Sequence, residues 1–342
     1  MEQLFYVEPG RVEWRDIPQP QLVDAEDALV RPLTVATCDV DSGLMLGLAP
    51  FPGPFPLGHE GVGEVVEVGS DVTTVAVGQR VIIPFQISCG RCGRCRRGIT
   101  GTCERVKHGS MYGLEPFGGP WGGFLSDLVR VPWADHMLVP LPDGVDPVAV
   151  ASLSDNICDG WRTVGPFVDE PAEASILVVG GLAPSIQFYS LAIAKALGVG
   201  RVDYFLDPES SRPAFIEKAA GIGANILEDP GEVRPGSYTV TVCSTGEIEG
   251  LRLALRAAEP DGVCAVNAIF FDDQVPLPMF SMYTFGVRLV TGRVNARAVL
   301  PEPLDLIVEG RFQPEVVTDE VVAWSDAAEA LMDQPRKLVF RR

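Results

Sequence analysis

Four cysteines, Cys89, Cys92, Cys95 and Cys103, fall within fifteen residues in the spacing C-x2-C-x2-C-x7-C. Four thiolates on one loop are enough to close a tetrahedral shell around Zn2+. Gly90, Gly93 and Gly98 let the backbone turn tightly there, and Arg91, Arg94, Arg96 and Arg97 offset the thiolate charge. An iron–sulfur cluster and a set of free thiols are the alternatives. No Pro follows Cys103 and no second cluster motif is present, which separates this run from that of a ferredoxin. An ion held by four thiolates has no open position, so a zinc in this lobe is scaffold.

A second group of ligand-type residues is spread along the chain. His59 and Glu60 lie in the turn GHE (58–60), Cys38 lies upstream in TCDVD, and SDNICDGW (154–161) carries Asp155, Cys158 and Asp159. A lone His in a glycine-flanked turn reads equally as a hydrogen-bonded surface residue or as a ligand. The other cysteines are scattered, and disulfides are not expected in the cytoplasmic setting argued below.

The elements that must position these groups come in two textures. Up to about residue 150 the chain has short β-branched runs broken by Gly and Pro, such as GVGEVVEVG (61–69), QRVIIPF (79–85) and DLVRVPW (127–133), which predict an all-β body. From there strand and helix alternate. Strands are expected at 175–181, 202–207, 225–227, 238–244 and 262–270, and helices at 188–198, 213–223 and 247–258. Such alternation implies parallel βαβ units. A helix at 302–310 and a closing helix at 325–333 follow.

Bulk properties narrow the function. At 342 residues, two domains are the default. A formal net charge of −19 argues against nucleic acid and anionic membrane surfaces, which need clustered Lys and Arg, and suits a small-molecule substrate. The opening MEQLFYVEPGRVEWRD has no apolar leader, and no stretch nears the ~20 apolar residues of a membrane span. A soluble cytoplasmic protein is expected.

The four-cysteine lobe, the GHE turn and Cys38 together resemble the zinc-containing medium-chain dehydrogenase/reductase family, which includes alcohol, sorbitol and threonine dehydrogenases. The resemblance runs from the β body to the closing KLVFRR. It implies an α/β plus all-β fold. A chaperonin-10-like (GroES-like) β domain would cover 1–148 and 296–342, with the structural-zinc lobe at 86–104. A doubly wound Rossmann domain would cover 149–295, and the active site would lie in the interdomain cleft. Two zinc ions per chain follow, with Cys38 and His59 ligating the catalytic one. The third family ligand is a Cys or Asp, and the register against Gly160 and Trp161 favours Asp155 over its rival Cys158. Glu60 would be a neighbouring or exchanging ligand, and Asp41 would orient His59. Phe85, Trp121 and Phe124 are pocket candidates or core packing.

Two positions depart from the family. Val40 replaces the Ser or Thr that starts a proton relay, and Asp159 replaces a Thr that packs near the nicotinamide. Asp159 would supply the missing acid/base group or simply pair with Arg162. In the dinucleotide loop, GGLAPSIQFY (180–189), Gly180 and Gly181 are present, but Leu182 and Gln187 stand where relatives commonly keep Gly. Small Ala183 and Ser185 still permit close approach. Asp207, 26 residues after Gly181, would take the ribose 2′-OH and favour NAD over NADP, or cap a helix. Arg297 would touch a pyrophosphate or form a surface ion pair.

The leading expectation is hydride transfer between NAD(H) and an alcohol or carbonyl at the catalytic zinc, by a homodimer or homotetramer. The rivals are a zinc lyase, isomerase or cyclase with weakened nicotinamide binding, and a non-catalytic scaffold.

Overall fold

In the computed structural model, residues 1–206 and 212–342 are described. They divide into two compact units. The first comprises Met1–Cys158, Val294–Val308 and Thr318–Arg342; the second comprises Asp159–Arg293 and Glu309–Val317.

The first unit is built on a seven-stranded sheet. Its long strand Ala28–Ala36 pairs antiparallel with Glu60–Val68, Val129–Val131 and Leu338–Arg341. Val30, Thr34 and Val35 favour a strand in ALVRPLTVA, and seven of its nine residues are buried. Gly61 lets the two long strands close up, since a Cβ there would come 2.7 Å from the Thr34 carbonyl oxygen. Two expected strands are shorter than their apolar runs, ending at Ile82 and Val131. Pro84 and Pro132 follow closely, and proline cannot donate to a ladder.

The second unit holds six parallel strands. In space they run Asn225–Leu227, Arg201–Leu206, Ser175–Gly180, Tyr238–Cys243, Ala258–Val266 and Arg288–Thr291. By chain position that is the order 3-2-1-4-5-6 of a doubly wound dinucleotide-binding sheet. Helices Ile186–Leu197 and Pro213–Ile222 stop at Gly198 and Gly223, whose φ values of +83° and +94° suit the left-handed residue that closes a helix. The strand expected at 262–270 instead spans Ala258–Val266. Its partners on both sides end level with Val266, at Cys243 and Thr291, so no ladder remains beyond it. The closing helix is reduced to Ala327–Ala330 after a 3-10 turn at Trp324–Asp326. Among the described residues, no helix is long and apolar enough to cross a membrane.

Candidate metal centres and dinucleotide loop

Among the described residues, two groups of side chains come close enough to hold a metal ion. The sulfurs of Cys89, Cys92, Cys95 and Cys103 lie within 4.8 Å of one another, and Cys92 and Cys103 are 4.0 Å apart. A tetrahedral zinc with ~2.3 Å bonds to sulfur needs edges of ~3.8 Å, so this thiol set fits the ion with little adjustment. Burial opposes ionisation of Cys92, but main-chain N–H groups of Cys95 and Glu104 aimed at its sulfur bring the thiol down to about 6. Burial and the neighbouring Cys92 push Cys95 up to about 12. An easily formed thiolate at Cys92 beside a reluctant thiol at Cys95 is an arrangement that a dication would complete.

The glycines of this lobe do different jobs. Gly90 (φ +71°) and Gly98 (φ +77°) are left-handed, and a Cβ on Gly90 would strike the His136 ring at 2.6 Å. At Gly93 a Cβ meets nothing closer than 3.5 Å, so the close turn does not depend on it. Arg91 and Arg94 face the carboxylates of Glu26 and Glu104, which shares their charge with groups outside the thiol cluster.

The second group is Cys38, His59 and Glu60, all buried, again with ligand atoms within 4.8 Å. Strand register creates it. Ala36, at the end of its strand, sits opposite Glu60, at the start of its own, so Cys38 and His59 just beyond the ladder are neighbours. Asp41 accepts from the Cys38 N–H at 2.8 Å and fixes that turn; the expected bond from Asp41 to the His59 ring is not made. The Ser154 hydroxyl donates to the Gly61 carbonyl and accepts from the Gly61 N–H, both at 3.0 Å. That clasp holds the chain end carrying Asp155 against the strand, and Asp155 Oδ2 lies 3.6 Å from His59 Nε2. Cys158 points elsewhere, its thiol donating to the Leu153 carbonyl at 3.0 Å. Phe85 packs its ring 5.6 Å from that of His59, whereas Phe124 stacks on Tyr112 in the core and Trp121 lies under Arg130.

The electrostatics favour a cation. Burial disfavours a charged His59, but the carboxylates of Asp155, Asp41 and Glu60 outweigh it and leave the imidazole more basic than usual. Burial, then the same acids, hold the Cys38 thiol well above its ordinary value. Burial likewise lifts Glu60 to about 8, against the pull of Lys337. Acids pressed together out of water are stabilised by a positive ion placed among them.

Lys337 is the residue that sequence reading missed. It is 0% exposed, and its ammonium donates to Glu60 Oε2 at 2.9 Å, to Asn156 Oδ1 at 3.1 Å and to the Thr37 carbonyl. The three donors of an ammonium are thereby satisfied. Nothing in KLVFRR marks this lysine as buried, because its acceptors are 181 to 300 residues away.

Known proteins are similar to this chain in sequence and in fold. A model of the alcohol dehydrogenase GroES-like domain matches residues 24–143. Zinc-type alcohol dehydrogenase B of Aspergillus flavus is 26% identical over 353 residues, covering 96% of this chain and 77% of that protein. Glutathione-independent formaldehyde dehydrogenase of Pseudomonas aeruginosa is 29% identical over 79% of this chain, which spans 65% of that protein's length. Among solved structures, an alcohol dehydrogenase from a Thermus species is 26% identical and superposes with a TM-score of 0.89, covering 100% of this chain and 99% of the other.

The chain belongs to the zinc-containing medium-chain dehydrogenase/reductase family. It is an oxidoreductase of the zinc-dependent class.

Measured against that family, the second unit carries its departures at the loop and just before it. Asp159 accepts from Arg162, whose other arm reaches the Val266 carbonyl at 3.1 Å, so the carboxylate is engaged in an ion pair. In the dinucleotide loop neither Gly180 nor Gly181 has a positive φ; both are glycines for lack of room. A Cβ on Gly181 would come 2.8 Å from the Ser244 carbonyl oxygen. Ala183 and Ser185 complete the loop, with Ser185 fully buried. Asp207 lies outside the described residues. In the first unit, Arg297 donates to the His136 carbonyl beside the four-cysteine lobe, which is neither of the two roles expected of it.

Proposed function

We propose that this chain transfers a hydride between NAD(H) and an alcohol, or the matching carbonyl, held at a zinc bound by Cys38, His59 and Asp155. The observation that carries this reading is the meeting of buried Cys38, His59 and Glu60, with the partly buried Asp155 carboxylate 3.6 Å from His59, among acids that a dication would stabilise. A bound zinc would supply a Lewis acid for the substrate oxygen. Cys38 and Asp155 bring negative charge to the site and His59 a ring nitrogen. Lys337 holds Oε2 of Glu60; with Cys38, His59 and Asp155 as the three protein ligands, a fourth position stays open for substrate. Phe85 shields the His59 ring from water. Val40, the second residue of helix Asp39–Met45, has no hydroxyl, so a proton leaving the substrate does not pass through that position.

Cys89, Cys92, Cys95 and Cys103 would hold a second, structural zinc. Cys103→Ser should release one zinc and lower Tm, while activity assayed at 25 °C stays within about threefold, because a closed site contributes folding energy and no chemistry. Metal analysis, calorimetry and a steady-state assay check this. Loss of all activity in a protein still folded at 25 °C would contradict the division of labour.

A second reading is a zinc-dependent lyase, isomerase or cyclase, favoured by Val40 and by Gln187 in the loop. Fluorescence titration with NADH and NADPH separates the two. Binding of NADH in preference to NADPH is expected from the acid at position 207. No binding of either at millimolar concentration would overturn hydride transfer.

A further inference from the structure

We propose that Gln187 is an internal occupant of the diphosphate cradle, and that it keeps dinucleotide affinity low. This rests on the nicotinamide reading above and adds the residue that tunes it.

Strand Ser175–Gly180 runs through a five-residue loop into helix Ile186–Leu197. Gln187 is the second residue of that helix, and helical side chains lean toward the N-terminus, here back into the loop. The carboxamide is 0% exposed and uses its full hydrogen-bonding capacity. Its oxygen accepts from the Gly181 N–H and from the Tyr204 hydroxyl, each at 3.1 Å. Its nitrogen donates to the Gly181 carbonyl at 3.1 Å and to the Ala183 carbonyl. A Cβ on Gly180 would lie 2.6 Å from that carboxamide oxygen, so the side chain rests directly on the strand end.

A diphosphate at such a turn is bound by main-chain N–H groups of the loop and the helix start. In this chain the Gly181 N–H is already given to a neutral oxygen that stands in for a phosphate oxygen. Position 184 is Pro and has no N–H to give. Leu182, 42% exposed, adds a side chain at a point where the backbone should come close. Close by, Ser185 Oγ is buried and has no hydrogen-bond partner among the described residues. The Gly181 N–H is thus satisfied without a ligand. The cofactor would therefore come and go as a co-substrate and not stay resident.

The test uses the full chain loaded with zinc, in wild-type form and as Gln187→Gly and Gln187→Ala, the alanine variant being the better helix former. NADH is titrated by fluorescence, and adenosine, which lacks the diphosphate, is titrated as a competitor. Both variants should bind NADH about tenfold tighter, the size of one recovered hydrogen bond to a charged group, with adenosine unchanged. Equal or weaker NADH binding in both folded variants would overturn the proposal. Binding by Gln187→Gly where the wild type binds nothing at millimolar NADH would uphold Gln187 as occupant and sink hydride transfer in the native chain. No binding by any of the proteins would overturn both.

Discussion

Cys38→Ala should leave the purified chain with one zinc where the wild type should hold two, and should slow alcohol oxidation by about a thousandfold. The fall corresponds to losing several kcal/mol of charge stabilisation at the reacting oxygen, which is what a bound dication is worth there. The substitution is clean. Asp41 binds the main-chain N–H of residue 38, so the turn survives removal of the thiol. The four-cysteine lobe has a separate ligand set and should retain its ion. Metal analysis together with kcat/KM for a panel of primary and secondary alcohols reads both effects. Two zincs retained, or activity within tenfold of wild type, would refute Cys38 as a ligand.

Lys337→Met should lower stability by about 3–5 kcal/mol, the usual cost of removing one partner from a buried ion pair. For a unit of this size that is on the order of 10 °C in Tm. The variant leaves Glu60 Oε2, the Thr37 carbonyl and Asn156 Oδ1 without their shared donor. The double variant Lys337→Met/Glu60→Gln should regain part of the loss, because a neutral amide needs no cation beside it while the Thr37 carbonyl and Asn156 Oδ1 still lack their donor. A Tm unchanged in Lys337→Met, or no recovery in the double variant, would show that the pair is energetically idle. A cobalt-substituted sample adds a readout that stability alone does not move. With Glu60 released, it is free to take the open position, and the visible spectrum should shift toward higher coordination.

Parts of this site are legible in the sequence because their logic is local. The four-cysteine lobe closes within one short loop, so ligand spacing along the chain is nearly ligand spacing in space. The alternation of β-branched runs and helical periods likewise predicts the parallel sheet, and the strand order bears that out. Element ends are less legible, since they depend on where neighbouring strands stop. The strand finishing at Val266 shows this, ending with its partners and not with its own apolar run.

The second candidate centre stands between these cases. Cys38, His59 and Asp155 are nameable from resemblance, but Asp155 and Cys158 are three residues apart and both are ligand-type. The clasp of Ser154 on Gly61 turns one toward His59, while the other is spent on the Leu153 carbonyl. Asp159 is similar, since only packing shows it committed to Arg162.

By itself, then, the sequence determined a compact thiol cluster, a family, an α/β unit and the residue types of a second centre. Tertiary structure decided which acid faces His59, where Lys337 finds its three acceptors, and that Gln187 fills its own loop. The physical reason is the same in each case. Burial makes every unmet charge or hydrogen bond costly, and the partner that meets it is chosen by proximity in space, to which distance along the chain is no guide.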